Sequence, residues 1–398
     1  PPIAPPDTGH LFPRHTTRVP FGNFVRFDVR GLVSTLGRPA PAGNRITDIA
    51  GLAVGHAHRV DPDARVAGAP EAPDGHGWAT GTTVVRVSAP GAIAAVDVRG
   101  GGPGTRETDL LDPSNTVQTA HAIVLSGGSA YGLATADGVM RALEADGIGL
   151  PLDDRGHVVP IVPAAVIFDL PVGAWDHRPD ADFGVDAVRA ADTEFAVGCV
   201  GAGVGARAGA LKGGVGTASM TFDAGPAAGI TVGAVMVANP VGAVIDPQTG
   251  LPWDLGETEL GCLGLRRPSA ADIDSLADLA AKHTVLNTTI GVVATDAVLD
   301  APMTKRLAMA GHDGLGRAIR PAHSPLDGDT IFGIATGAVR PSTPVPAPAG
   351  MHADVAVVAE VCRAAADVVQ QAIVNAVLAA EPVASIPTYA QTAPSAFR

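Results

Sequence analysis

A hydroxyl set directly after an asparagine carbonyl is the most reactive arrangement in this sequence. The step Asn287-Thr288-Thr289 opens into Ile290-Gly291-Val292-Val293-Ala294-Thr295-Asp296-Ala297, an apolar, β-branched run that reads as a buried strand. If the chain breaks between Asn287 and Thr288, the new terminus carries both a hydroxyl nucleophile and a free α-amine. An α-amine has a pKa of roughly 7.7 to 8, so part of it is neutral at working pH and can take the hydroxyl proton. Nucleophile and base then belong to one residue. The plain alternative is a loop that enters a core strand. The same step fits N-x-[ST], but glycosylation needs a secretory route for which the sequence gives no sign.

Other polar positions stand at comparable junctions. Asn239-Pro240 closes an apolar run, where a side-chain amide can donate to an oxyanion or simply make a turn. Lys212, in Leu211-Lys212-Gly213-Gly214, is either a charge held near chemistry or a solvated loop residue. Asp327-Gly328-Asp329-Thr330 is an acidic pair or an Asp-Gly turn; D-x-[DN]-x-[DN]-G is not met, which argues against calcium. Ser126-Gly127-Gly128-Ser129 sits between a strand and a helix, where exposed amides could hold an anion and Ser129 could be an N-cap. A nucleophile elbow fails there because Tyr131 stands where G-x-S-x-G needs Gly. Gly201, Gly203 and Ala206 meet the loose dinucleotide fingerprint, yet a following helix would have to absorb Gly209, Gly213, Gly214 and Gly216, each costing up to about 1 kcal/mol.

The run Asn287 to Ala297 resembles the processing site of the autoprocessing aminopeptidases, the family of L-aminopeptidase/D-amidase-esterases, β-aminopeptidases and nylon-oligomer hydrolases. Leu125 to Leu133, Leu211 to Gly214, Asn239-Pro240-Val241-Gly242 and Asp327 to Thr330 follow in family order over roughly residues 45 to 380. The resemblance implies a four-layer α-β-β-α sandwich of the kind shared with ornithine acetyltransferases, and cleavage into residues 45–287 and 288–398 behind a Pro-rich arm, 1–44. It makes Thr288 the nucleophile, Asn239 an oxyanion donor, Lys212 a charge that lowers the terminal amine pKa, and Asp327 and Asp329 orienting groups or amine holders. Tyr131 and Phe168 are implied substrate contacts. Two departures stand out: Asn-Thr replaces the Gly-Ser of the aminopeptidase branch, and Phe168 stands where a Tyr could donate to an oxyanion. The implied activity is hydrolysis of amides or peptides with a free amino end, 6-aminohexanoate oligomers included, by a tetramer of cleaved heterodimers without metal or organic cofactor. The alternatives are ornithine acetyltransferase-like acyl transfer and a binding protein that never cleaves.

The elements that must position these residues read as α/β with hairpin-type strands. Strands are expected at 51–56, 83–87, 93–98, 122–125, 162–168, 230–238 and 330–335, with 83–87 and 93–98 forming a hairpin around Ala89-Pro90-Gly91. The long polar loop from Arg99 through Asn115 is a candidate site wall. Helices are expected over 130–145, 182–191, 270–282 capped by Ser269, a stretch capped by Asp300 with Pro302 in its first turn, and 353–380. The arm carries Arg14, Arg18, Arg26 and Arg30 without periodicity and reads as extended.

Composition narrows the partners. With 46% hydrophobic but only 4% aromatic residues, the core must be built from Ala, Val, Ile and Leu. A formal charge of -13 and no Lys/Arg cluster argue against nucleic acid. Cys199, Cys262 and Cys362 are widely spaced and read as reduced, buried thiols of a cytoplasmic protein. No run is long enough to span a bilayer and no signal peptide is visible, so neither membrane nor export is expected.

Overall fold

The computed structural model describes residues 38–39, 43–68, 71–279, 287–340 and 347–397. Most of the 1–44 arm, the end of the expected 270–282 helix and much of the Pro-rich loop at 341–348 lie outside them. Arg38–Pro39 pairs with Ala196–Val197.

Two sheets carry the fold. In chain order their strands are β1 (Leu52–Val60), β2 (Ala79–Val87), β3 (Ala92–Val98), β4 (Thr105–Arg106), β5 (Thr119–Ala120), β6 (Ala122–Ser126), β7 (Ala164–Val166), β8 (Gly214–Thr221), β9 (Thr231–Ala238), β10 (Ile290–Ala297) and β11 (Thr330–Val339). One sheet has the order β1-β2-β6-β7-β4, and the other β8-β9-β10-β11-β3-β5. Period-2 patterning decides which side chains meet. Val235, Val237, Ile290, Val292, Phe332 and Ile334 of the larger sheet share a core with Val85, Ile123 and Leu125 of the smaller one. The opposite faces bury Val232, Ala234, Val293 and Ile331 under helices α4 (Ala301–Ala318) and α5 (Val355–Leu378). On the smaller sheet, Val84 and Val124 pack with Val139 and Leu143 of α1 (Thr135–Ala145) and Val188 of α2 (Ala181–Arg189). Helix pair, sheet, sheet and helix pair thus follow one another. Small residues allow the close layers: a Cβ on Gly216 of β8 would come 2.1 Å from the Ala372 carbonyl of α5.

Three local expectations are corrected. β2 and β3 do not form a hairpin. β2 pairs with β1 and β6, whereas β3 pairs with β11 and β5. Both strands turn apolar side chains into the shared core, so the turn at 88–91 crosses between sheets face to face. Ser129 is not a cap; it opens a 3-10 turn, Ser129–Ala134, with φ of 52° and no side-chain cap bond at its N-terminus. The cysteines are free, but only Cys199 is buried: Cys362 is partly accessible and Cys262 exposed, on the short helix Glu257–Cys262. The expected caps at Ser269 and Asp300 do form. Their side chains accept from the Asp272 and Met303 N–H groups, opening α3 (Ala270–Ala277) and α4. Among the described residues, no helix is long and apolar enough to cross a membrane.

Candidate active site

Strand directions bring the site together. β9 runs antiparallel to β10, and β10 parallel to β11, so the end of β9 and the starts of β10 and β11 meet at one edge of the sheet. Asn239 follows the first, Thr288 stands two residues before the second, and Asp329 directly precedes the third. Backbone bonds lock the junction. Thr288 N–H donates to the Asn239 carbonyl at 3.0 Å, Asn287 N–H to that of Leu326 at 3.0 Å, and Gly328 N–H to that of Asn287 at 2.9 Å. Asn239, Asn287, Thr288, Asp327 and Asp329 are all buried.

With the Asn287–Thr288 bond intact, the Thr288 hydroxyl donates to the Asn287 carbonyl oxygen. Space for that hydroxyl depends on Gly328, where a Cβ would lie 2.8 Å from Oγ and 2.7 Å from the Gly102 carbonyl oxygen. The loop after β3 does line the site. Gly102 N–H donates to the Asp327 carbonyl at 2.9 Å and Arg99 N–H to that of Asp329 at 3.0 Å.

The Asn239 side chain is oriented by its partner: Oδ1 accepts the Arg207 N–H at 2.9 Å. Nδ2 is therefore its donor end, and it reaches the Phe168 carbonyl at 3.4 Å. Phe168 thus joins the site through its backbone. Tyr131 is 55% exposed, with the Arg178 guanidinium 3.9 Å above its ring. Its side chain lies on the surface rather than in the buried junction.

Lys212 is fully buried, and its ammonium donates to the carbonyls of Gly203, Ala206 and Gly213 at 2.9, 2.7 and 2.9 Å. Burial lowers its pKa, opposed by the Cys199 thiol and the charge of Asp169. Lys212 therefore closes the 203–206 turn that presents the Arg207 N–H to Asn239. The glycine fingerprint at 201–206 is this turn, not a dinucleotide loop; a 3-10 helix, Gly201–Gly203, is followed by a short strand pair.

The two aspartates do different things. Asp329 Oδ1 accepts the Thr289 N–H at 2.8 Å, next to Thr288, while Oδ2 accepts His323 N–H at 3.1 Å and meets His323 Nδ1 at 2.9 Å. Asp327 accepts Val241 N–H at 3.1 Å and Ser324 N–H at 3.3 Å. Burial, and then the charge of Asp329, raise its pKa.

His323 and Asp169 escaped the sequence reading. The His323 ring packs edge-on against buried His312, with centroids 4.9 Å apart. Asp169 accepts Gly128 N–H at 2.6 Å and the Thr80 hydroxyl at 2.7 Å. It fills the amide cradle that the sequence offered to an external anion, because Gly127 and Ser129 N–H also donate to internal carbonyls. Burial pushes the Asp169 pKa up to about 6. A signal existed for each: His323 stands six residues before Asp329, and Asp169 adjoins Phe168. Among the described residues, no cluster of three or more His, Cys, Asp or Glu is arranged to hold a metal ion.

A family model described as peptidase family S58 matches residues 44–389. The chain belongs to peptidase family S58. Membership places it among hydrolases of peptide and amide bonds. An uncharacterized aminopeptidase of Mycobacterium tuberculosis (strain ATCC 25618 / H37Rv) is 54% identical over 360 residues, 89% of this chain and 99% of that protein. The 6-aminohexanoate-oligomer endohydrolase of Kocuria sp. (strain KY2) is 31% identical, covering 67% of this chain and 72% of that protein. Among solved structures, a Burkholderia sp. β-aminopeptidase superposes with a TM-score of 0.65 at 23% identity, covering 91% of this chain and 94% of that one. The L-aminopeptidase D-Ala-esterase/amidase of Ochrobactrum anthropi, described as a variant of the Ntn hydrolase fold, gives 0.62 at 23%, covering 88% and 90%. This S58 chain therefore shares the Ntn-hydrolase fold.

Proposed function

We propose that the chain is an autoprocessing N-terminal-threonine amide hydrolase. Thr288 Oγ attacks the Asn287 carbonyl carbon, the Asn287–Thr288 C–N bond breaks, and the nitrogen leaves as the Thr288 α-amine. The resulting ester on Oγ is hydrolysed by water, which gives an Asn287 carboxylate and restores the hydroxyl. In turnover the α-amine takes the Oγ proton as Oγ attacks a substrate carbonyl, and the departing amine receives a proton. Water then resolves the acyl-enzyme.

The observation that carries this reading is the buried Thr288 hydroxyl donating to the carbonyl it would attack. Around it, Asn239 Nδ2 is the oxyanion donor, an interaction worth roughly 2.7 to 4 kcal/mol in comparable sites. Asp329 orients the nucleophile through the Thr289 N–H, and Asp327 is the acidic group for a substrate amine. Lys212 is a positioning residue that holds the turn behind Asn239 and adds positive charge to the region. Substrates are peptides or amides with a free amino end, in keeping with the aminopeptidase names of the relatives.

Intact mass under denaturing conditions tests the reading. Wild type should give two fragments meeting at Asn287 and Thr288, and Thr288→Ala a single chain. One uncut chain in both, or cutting in both, refutes it.

A further inference from the structure

A cavity of about 330 Å³ opens beside Asn287, at the lower end of ligand-pocket sizes. Its walls include Leu211, Val241, Val244, Ile245, Leu276 and Val377, and Asn287 is its one polar lining residue among those described. Val244 and Val377 are fully buried members of the core. Its position follows from covalent logic. An acyl group on Thr288 Oγ puts its carbonyl carbon where the Asn287 carbonyl carbon stands in the uncut chain. The acyl α-carbon and side chain then replace those of Asn287 and face the same cavity.

We propose that this cavity is the acyl pocket of the enzyme, and that it selects aliphatic α-amino acyl groups over charged or ω-amino ones. This rests on Thr288 being the nucleophile. An aliphatic side chain gains contact with the described lining side chains, which are apolar apart from Asn287. A charged side chain loses hydration there and, among the described lining residues, meets no side chain of opposite charge. An α-ammonium behaves differently because it sits on the atom next to the carbonyl and stays at the mouth. There Asp327 is backbone-paired with Asn287, and its carboxylate, bonded to Val241 N–H at 3.1 Å, keeps lone pairs to accept from it. An amine separated from the carbonyl by five methylenes, as in a 6-aminohexanoyl group, is carried past Asp327 into the cavity. Substrates of that kind are disfavoured as acyl donors with a free amine.

The test uses processed wild-type protein and p-nitroanilides of L-alanine, L-leucine, L-lysine and 6-aminohexanoic acid, compared by kcat/KM. The leucyl anilide should exceed the lysyl and 6-aminohexanoyl anilides by about tenfold or more, the discrimination expected for a hydrophobic pocket. Ala243→Leu, which narrows the cavity at a partly accessible wall, should lower the leucyl-to-alanyl ratio by about tenfold, and Leu279→Ala should raise it. Wild type that turns over the 6-aminohexanoyl anilide as well as the leucyl one overturns the proposal. So does a leucyl-to-alanyl ratio unmoved in both variants. If Thr288→Ala hydrolyses the anilides like wild type, the nucleophile assignment itself fails and the pocket assignment with it. Intact mass on every variant keeps loss of processing separate from loss of selectivity.

Discussion

Gly328→Ala is a one-methyl perturbation whose effect can be worked from geometry. Gly328 is not among the residues with positive φ, so alanine costs no backbone strain there and the methyl acts by volume. Its Cβ would stand 2.8 Å from Thr288 Oγ, 2.7 Å from the Gly102 carbonyl oxygen and 3.0 Å from Pro103 Cα. The Gly102 side is held by its N–H bond to the Asp327 carbonyl at 2.9 Å, so much of the adjustment falls on the hydroxyl. Reaching ordinary contact at 3.4 Å requires an opening of about 0.6 Å at Oγ. Misplacement by about 1 Å can cost 10²-fold in rate, so a loss of roughly tenfold or more is expected in self-cleavage, equivalent to about 1.4 kcal/mol in the barrier. Overpacking should also cost about 1–3 kcal/mol in stability. The assay is a time course of precursor and fragments by intact mass, with melting followed in parallel. Gly316→Ala is the control: it lies on α4 with nothing within 4 Å of the added methyl, so it should process normally and gain about 0.5–1 kcal/mol in stability. Gly328→Ala cleaving at the wild-type rate while still folded would refute the reasoning that hydroxyl placement limits the reaction.

His323→Ala should slow self-cleavage by about tenfold, because it removes a charge-assisted bond to Asp329 of a kind worth roughly 1.5–3 kcal/mol. His323→Asn should recover most of the rate, since its amide nitrogen can replace Nδ1 and Asn tolerates the φ of 54° at this position; equal loss in both variants would refute the role. Asp169 gives a pH prediction. Its carboxyl holds a proton in the folded state up to about pH 6 but loses it near 3.8 when unfolded, so its contribution to stability falls as pH rises between those values. The window amounts to about 3 kcal/mol. Urea melts should therefore show the stability of Asp169→Asn relative to wild type rising by about that amount from pH 4 to pH 7, and a constant difference would refute the shift.

What was legible in the sequence was local in origin. The apolar β-branched runs became β6, β9 and β10, Ser269 and Asp300 capped their helices, and the Asn287-Thr288 step, Asn239 and Asp327-Gly328-Asp329 converged. They converge because each adjoins the end or the start of a neighbouring strand. What was not legible depended on partners far along the chain. The hairpin expected at 83–98 failed because the turn propensity of Ala89-Pro90-Gly91 fixes a reversal but not whether the strands meet edge to edge or face to face. The anion cradle expected at Ser126 to Ser129 is already filled: Gly127 and Ser129 N–H bond to carbonyls, and Gly128 N–H bonds Asp169, which comes from about 40 residues away. Lys212 looked like a solvated or catalytic charge; only the fold shows its three carbonyl partners. Tyr131 sits at a helix start, and nothing local could say that its ring would lie outward under Arg178.

The proposed cut needs little rearrangement, and the reason lies in Asn239. All eight residues of β10 are buried between β9 and β11, so the 288–398 segment cannot leave without opening the shared core. Only its first residue changes chemically. The Thr288 nitrogen that donates to the Asn239 carbonyl at 3.0 Å as an amide keeps that acceptor as an amine and gains protons to share. The amine that would serve as base is thus held by the main chain of the same residue whose side-chain Nδ2 is the proposed oxyanion donor. The proposed base and oxyanion donor would therefore be fixed relative to each other by one residue at the end of one strand. The bond that would open lies outside the β10 ladder, so cleavage removes a covalent link while leaving the hydrogen bonds of that strand unchanged.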